Sequence, residues 1–486
     1  MSEISFFEIP EKLRIHGVRV EFDPRLAGNA VIDFRMLILG QQFTTGQAAA
    51  GVPVRVNGNG ETTDALFGRG SQIAEMVKAA VAARPFLEIW ALPIDENAAG
   101  AIASGSLTVT GPATANGTIN LYIAGKRVQI GVNINDSANA IASAIDAAIT
   151  AQTDLSVASS VATNVVTLTA QWKGETGNDI DVRFNYFDES LPAGVTIAIS
   201  AMAGGTANPD VTNAIAGFGA EWWNWIVTPW TDTANLLALE THLSTQFGAM
   251  VAKGARAFAA YRGSHAATGT YGNTRNSAHI SSHGTNLSPT PPWIWAAVNG
   301  AVAAFSLTND PARQLNDLAL PGILPAAIQE RWDDPELNAL MFDGIATHKV
   351  DRDGTVRIEA QLSMYQTNAS GINDDAWLYI NTAETLERWR FSLVAKVATK
   401  HARQKLAGDD VNVTRGQQTA QPKTVKVTVL DAYQDAINAG WMQDYDGYKN
   451  DLVAQIHGTD KNRLDIYESP RLVGNLRIVA VHSEFQ

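Results

Sequence analysis

The sequence has no cysteine among its 486 residues. Disulfide scaffolds, thiolate nucleophiles and cysteine-held metals are therefore excluded, and the composition suits a reducing compartment. Long apolar runs are also missing. The longest, WIWAAVNGAVAAFSL from Trp293, is interrupted by Asn and Gly and is too short to span a bilayer. The opening residues, MSEISFFEIPEKLRIHG, contain no basic segment followed by an apolar stretch, so no signal peptide is expected. Positive charge is in short supply: 36 Lys and Arg stand against 49 Asp and Glu, for a net charge of −13. That balance argues against general nucleic-acid binding and favours solubility. The 45% hydrophobic content is that of a globular protein, and the length predicts about two or three domains.

The signatures of common catalytic sites are absent too. GQQFTTG, after the first buried strand, does not match the G-x-G-x-x-G dinucleotide fingerprint, and there is no phosphate-loop lysine or G-x-S-x-G elbow. His265, His279 and His283 fall close together in the chain, but H-I-S-S-H lacks the glutamate that a zinc hydrolase helix needs. These histidines are expected in polar loops or at the surface. Gly68-x-Gly70-Ser71 at a helix start could hold an anion on free N–H groups, although simple N-capping by Ser71 accounts for the same residues. The acid pairs Asp333-Asp334, Asp374-Asp375 and Asp409-Asp410 sit in turn-like contexts and are expected to be solvated. No cofactor, metal or catalytic residue is assigned.

What is present is organisation. Residues 1–30 read as an arm in which Val18, Val20 and Phe22 alternate with Arg19 and Glu21, the pattern of a strand that needs another sheet to join. From Phe34 an α/β rhythm sets in. FRMLILG and FLEIWAL read as buried strands, and between them Ser71 caps a helix with Ile73, Met76, Val77, Ala80 and Val81 on one stripe. Composition shifts over residues 101–207, which hold only Trp172 of the twelve tryptophans and carry the alternating strands SLTVTG, TINLYIAG and NVVTLTAQ around one helix, Ser137–Thr150. The α/β rhythm then resumes with WWNWIV, a helix from Thr233 presenting Leu236, Leu237, Leu243 and Phe247, and the strand ARAFAAYR. A guest inserted into a parent domain explains the interruption.

The C-terminal third begins with DRDGTVRIEAQLSMYQTNASGINDDAWLYINTAETLERWRF from Asp351. Val356, Ile358, Ala360, Leu362 and Met364 alternate with polar residues as in a half-buried strand. A polar loop and a second short strand follow, and Asn381 and Thr382 offer caps for a long helix. That helix, Glu384 to Leu406, carries Arg388, Arg390, Lys396, Lys400, Arg403 and Lys405 against Glu384 and Glu387, a basic stripe in an acidic chain. It is either an ordinary solvated face or a surface for an acidic partner. A helix is expected from Thr428 to about Ala439, then a hairpin-like ending in RLDIY and LRIVAV, with Leu476, Ile478 and Ala480 on one face and Arg477, Val479 and Val481 on the other.

Asp353-Gly354, Val356-Arg357-Ile358-Glu359, Tyr365-Gln366-Thr367-Asn368, Gly371, Asp374-Asp375, Thr385-Leu386 and Arg388 stand in an order that resembles the C-terminal region of contractile-tail sheath proteins, most closely those of Mu-like phages. The resemblance extends to Arg35–Gln41, Gly51–Val54, Leu66–Ser71, Trp90–Pro93, Lys173-Gly174-Glu175, Gly177–Ile180 and Lys405-Leu406-Ala407. Ala360, Leu362-Ser363-Met364, Asp410 and Gln421-Pro422 depart from the family pattern. The resemblance implies a structural protein rather than an enzyme: six-membered rings stack into a helical sleeve around a tail tube, and a baseplate trigger shortens the sleeve. The implied partners are further copies of the chain, the tube protein, the baseplate and the tail terminator, with no direct nucleic-acid contact and no membrane insertion. The implied location is the virion tail, after assembly in the bacterial cytoplasm.

The expected fold is an α/β parent domain with an inserted α+β, β-rich domain and extended N- and C-terminal β-strand arms. The expected division is an arm at 1–30, a parent at 31–100 plus 208–350, an insert at 101–207 on the outer surface, a C-terminal domain at 351–461 and an arm at 462–486. Val18–Phe22 and Leu476–Val481 are the candidate inter-subunit strands, and the basic helix is the candidate tube-facing surface. A Rossmann-like enzyme and a glycan-binding surface protein are the alternatives. The first lacks its phosphate fingerprint, and the second leaves the C-terminal motif unexplained.

Overall fold

The structure is a computed structural model that describes residues 34–485 apart from 57 and 415. The N-terminal strand expected at Val18–Phe22 lies outside the described residues. The remainder forms two compact units, one of Phe34–Arg388 together with the residues from Leu472 onward, the other of Trp389–Arg471.

The larger unit is built on β1 (Met36–Gln41), β2 (Val54–Arg55), α1 (Gly60–Phe67), α2 (Gln72–Ala83) and β3 (Ile89–Ile94). The insert follows as β4 (Ile102–Thr110), β5 (Gly117–Ile123), β6 (Lys126–Val132), α3 (Ala138–Ala151), β7 (Val157–Ala162), β8 (Val165–Lys173), β9 (Val182–Phe184) and β10 (Thr196–Ala203). The parent resumes with α4 (Val211–Ala216), β11 (Trp225–Val227), α5 (Thr233–Phe247), β12 (Arg256–Tyr261), α6 (His265–Gly272) and β13 (Ile280–Gly284). It ends with α7 (Pro292–Asn309), α8 (Asp334–Phe342), β14 (Ile345–Val350) and β15 (Val356–Ala360). Helix α9 (Ile380–His401) runs from this unit into the smaller one. There it is followed by β16 (Lys405–Leu406), β17 (Thr419–Ala420), α10 (Pro422–Asn438), α11 (Tyr445–Asp451), β18 (Val453–Ile456) and β19 (Leu464–Tyr467).

An eight-stranded sheet in the order β15-β14-β13-β12-β11-β1-β3-β2 organises the larger unit. Its six central strands are parallel, while β2 and β15 are antiparallel edges. The apolar runs read as buried strands are buried on both faces, as central parallel strands must be. In β1, Met36 and Ile38 point into one core with α2 and α7, and Leu37 and Leu39 into another with α4, α5 and α8. The half-buried pattern from Val356 becomes β15, the edge of this sheet.

Residues 101–207 form a four-stranded sheet (β10-β4-β8-β7) and a three-stranded one (β6-β5-β9), with α3 packed against the first. The insert does not have a separate core. Leu107, Val166, Leu168 and Trp172 share one hydrophobic cluster with Ile73, Met76 and Trp293 of the parent, and Trp172 meets Trp293 edge to face at 5.4 Å.

Several boundaries differ from expectation. WWNWIV contributes only Trp225–Val227 as strand. On α5, Leu239 is buried where Leu237 is exposed. Only an isolated bridge at Tyr379 represents the second short strand, and α9 begins at Ile380, so Asn381 and Thr382 lie inside its first turn. The Asn381 amide instead donates to the carbonyls of Pro311 and Arg313. Helix α9 ends at His401, before Arg403 and Lys405, and α10 starts at Pro422, six residues earlier than Thr428. LRIVAV forms no strand within the described residues, and RLDIY pairs instead with β18.

Candidate interaction surfaces

Among the described residues, the C-terminal segment is the most exposed apolar stretch. Leu476, Ile478, Val479 and Val481 are each more than 70% exposed, and Phe485 is almost fully so. Among the described residues, 476–481 make no backbone hydrogen bond. Arg477 lies over the Tyr379 ring at 3.6 Å, a cation–π contact. A segment with exposed apolar side chains and, among the described residues, no backbone hydrogen bond has the chemistry of a strand that lacks its sheet.

The smaller unit offers sheet edges of its own. β18 and β19 pair antiparallel from Val453–Tyr467 to Ile456–Leu464 and form a two-stranded sheet. A two-stranded hairpin is marginal alone, and this one is braced by α10. Beneath it, Tyr433 and Tyr448 stack with parallel rings, Trp389 meets Tyr433 edge to face, and Glu468 accepts from both the Trp389 indole and the Tyr448 hydroxyl. RLDIY thus pairs with β18 and not with LRIVAV. The signal for β18 was present as VAQI before the turn residues Gly458–Asn462, but its shortness concealed it.

The basic stripe is less uniform than its sequence. Arg388 donates to the carbonyls of Leu307 and Thr308 at the end of α7 and lies 4.3 Å over the Phe34 ring, so it supports the larger unit. Its charge sits at the negative end of the α7 dipole. Arg390 is half-buried. Lys396 pairs with Asp431 at 3.0 Å and with Asp435, and Lys400 pairs with Asp431 at 2.7 Å. Both aspartates lie on α10, so counting charges along α9 alone overstated the stripe. Hydrogen bonds from both lysines hold the Asp431 carboxyl below its ordinary range. Arg403 is exposed in a left-handed turn (φ 61°), and Lys405 is exposed on β16.

The acid pairs and the glycine pair have local roles. Asp333 caps α8 in a reciprocal box with Glu336, Asp374 accepts from the Tyr365 hydroxyl at 2.6 Å, and Asp409 accepts from the Lys423 amide at 3.0 Å. Gly68 and Gly70 have φ of 85° and 80°, and the Ser71 hydroxyl caps α2 by accepting from the Ala74 amide. A cavity of about 390 Å³ lies beside α2, lined by Glu75, Lys78, Lys126 and Asp154 among others. Its charges are mutually paired: Lys126 with Glu75 and Asp154, Lys78 with Asp64.

Of the three histidines, His283 overturns the expectation of loops and surface, whereas His279 is half-buried in a bend and His265 half-buried at the start of α6. His283 is a fully buried residue of β13, in contact with a largely buried His348 on β14. His279, just before β13, lies 3.3 Å from the buried Arg256 guanidinium through Nδ1. His265 Nε2 is 3.0 Å from the Glu336 carbonyl. Among the described residues, no group of three or more His, Asp or Glu could hold a metal ion, and no helix is long and apolar enough to cross a membrane. Arg256 also faces Glu384 of α9 at 3.5 Å, too long for a hydrogen bond. Burial raises the Glu384 carboxyl to about 7, against the opposing pull of Arg256.

Residues 204–364 match the model of the phage tail sheath protein central domain. The Mu-like prophage FluMu tail sheath protein of Haemophilus influenzae is 38% identical over 485 residues, covering 99% of each chain. The contracted helical sheath of the anti-feeding prophage aligns with a TM-score of 0.50 at 12% identity, over 97% of this chain and 99% of the other. A sheath tail protein of Listeria innocua aligns over 93% and 94% of the two chains, at 12% identity and a TM-score of 0.49. The chain belongs to the Mu-like phage tail sheath family, whose members are structural proteins and not enzymes.

Proposed function

We propose that the chain is the polymerising subunit of a contractile tail. Copies stack as six-membered rings into a helical sleeve around the tail tube, and the sleeve shortens on a baseplate signal to drive the tube through the host envelope and deliver the genome. The full-length identity to a Mu-like sheath protein carries this reading. Its partners are further copies of itself, the tube, the baseplate and the tail terminator. Assembly takes place in the host cytoplasm, and the product is part of the virion tail.

The arms Val18–Phe22 and Leu476–Val481 act as added strands, joining the sheets of neighbouring subunits and keeping them linked while rigid bodies move. Among the described residues β18 and β19 pair only with each other, and their outer edges are suited to receive such strands. The insert lies on the outer surface of the sleeve and, because it shares the parent core, moves rigidly with it.

The tube-facing role belongs to the basic residues on and just after α9. With Arg388 committed to α7, Lys396, Lys400, Arg403 and Lys405 are the residues to test. Exposed, screened pairs suit a contact that must break on contraction. Lys396→Glu with Lys400→Glu should abolish sleeves on co-expressed tubes, whereas the parent protein forms them. The same change breaks the pairs with Asp431 and Asp435, worth about 1 kcal/mol each at this exposure. Adding Asp431→Lys and Asp435→Lys restores those pairs without restoring charge on α9. Sleeves should remain absent from the fourfold variant, and their return would make the lysines structural and turn that face away from the tube.

A further inference from the structure

The motif that the sheath reading leaves unused is the buried histidine pair. Nε2 of His283 lies 3.3 Å from Nδ1 of His348, and the same Nδ1 lies 3.1 Å from the Gly284 carbonyl oxygen. A carbonyl can only accept, so Nδ1 of His348 carries a proton and donates it. Nε2 of His283 must then be an acceptor, which places the His283 proton on Nδ1, an atom without a partner. His283 is therefore neutral with its proton on Nδ1, the Gly284 carbonyl fixes a proton on Nδ1 of His348, and burial disfavours a second proton on that ring. Trp295 of α7 packs at 5.2 Å from His283 and 4.6 Å from His348, and Trp332 lies 6.2 Å from His348.

The pair sits at a thin place in the sheet. β12 and β13 pair continuously from Ala257–Ile280 to Tyr261–Gly284, but β13 and β14 pair only at Ser282–Ile345 and His283–Ala346. Outward of this seam lie β14 and the antiparallel edge β15, from which the chain continues to α9.

The ionisable groups on the surrounding elements offer a proton little compensation. Helix α7 has none. The 328–333 segment carries Glu330, Arg331 and Asp333. β12 carries Arg256 and Tyr261, and α6 carries His265 and Tyr271. Helix α8 carries Asp334 and Glu336, β14 has Lys349, and β15 has Arg357 and Glu359. Of these, Arg331 acts on His348, and its positive charge opposes a second one.

We propose that the His283–His348 pair is an acid-operated release for the β14–β15 edge. A proton on Nε2 of His283 would aim a donor at the Nδ1–H of His348, and relieving that clash breaks the bond to Gly284. Protonating both rings sets like charges in contact. Burial, with Arg331 opposing protonation and the Gly284 bond favouring it, lowers His348 to about 4. Burial and its neighbour hold His283 well below the ordinary histidine value. The open state therefore binds protons before the closed one. Closure is fully favoured above about pH 6.5 and weakens as pH falls toward 4. At pH 5, His348 alone shifts the closed-to-open ratio by about 30-fold relative to pH 8. Glu384, raised to about 7, and Asp179, raised to about 6, act in the opposite sense, because their native forms bind protons first.

The test is hydrogen exchange by mass spectrometry on full-length protein from pH 7.5 to 4.5, corrected for intrinsic rates, with His283→Gln and His348→Gln beside the parent. In the parent, peptides covering 345–360 should lose protection at least tenfold while insert strands β4 and β8 keep theirs. Each variant that folds should show less than a threefold pH effect at 345–360. Equal pH dependence in parent and variants would overturn the proposal. So would simultaneous loss across both regions of the parent, which decides the matter even if neither variant folds.

Discussion

Removing residues 475–486 is expected to abolish sleeve formation and leave a folded monomer. The removed side chains are almost all exposed, and residues 476–481 give no backbone hydrogen bond to the described residues. Among the described residues, the cation–π contact between Arg477 and Tyr379 is lost, worth about 0.5–1 kcal/mol. The assembly loses a whole strand. If the segment adds on the order of five main-chain hydrogen bonds at about 1 kcal/mol each, every junction weakens several-thousandfold. Repeated through a lattice, that is the difference between sleeves and none. Thermal melting should shift by no more than a few degrees while electron microscopy shows no tubes. Normal sleeves from the truncated chain would remove the arm from the assembly mechanism.

The second large effect is expected at Glu75, at the seam between the insert and the parent domain. Its carboxylate, on α2, accepts from Lys126 Nζ at 2.8 Å, the Ser156 hydroxyl at 3.2 Å and the Trp293 indole at 3.1 Å. Lys126 and Ser156 belong to the insert and Trp293 to the parent, so one carboxylate joins the two beside the Trp172–Trp293 contact. Burial pulls the Lys126 ammonium down, but Glu75 and Asp154 outweigh it and hold the group above the ordinary lysine value. A raised lysine contributes fully at neutral pH, and its contribution is lost only as pH rises through the folded-state value. The Lys126 side chain is about one-third exposed and keeps Asp154, so solvent screening makes its share the smaller one. Most of the cost of Glu75→Ala comes from leaving the Trp293 N–H and the Ser156 hydroxyl buried and unpaired. The total should be about 3 kcal/mol in urea unfolding of the monomer, with Glu75→Gln intermediate. A loss below about 0.5 kcal/mol would mean that the seam rests on apolar packing alone.

The sequence was most legible where one local rule governs. MLILGQ and IWALPI are buried on both faces and read as apolar runs, and Ser71 and Pro85 bracket α2 as expected. The compositional shift marked the two insert sheets, but it could not show that Trp172 and Trp293 share a core, because 121 residues separate them. β13 was concealed by its own chemistry. ISSHG looks like a polar loop, yet Ser281 accepts from the Gln361 amide at 2.7 Å and Ser282 accepts from the Tyr271 hydroxyl at 3.0 Å, so both buried serine hydroxyls are satisfied by residues outside the strand. The early start of α10 was missed because KTVKVT alternates like a strand; Pro422 at the first turn and the Gln421–Thr424 box set it as a helix. Of the basic residues expected on the long helix, Arg403 and Lys405 fall beyond α9, and the aspartates that neutralise Lys396 and Lys400 lie 31 to 39 residues downstream on α10. Tertiary pairing of that kind has no periodic signal.

The central claim, that this chain polymerises as a sheath, is tested most directly by negative-stain electron microscopy of the concentrated full-length protein, alone and after co-expression with its tube protein. Striated tubes or stacked rings in either preparation are the expected result. Uniform monomers in both, at high concentration and with intact tubes present, would contradict it.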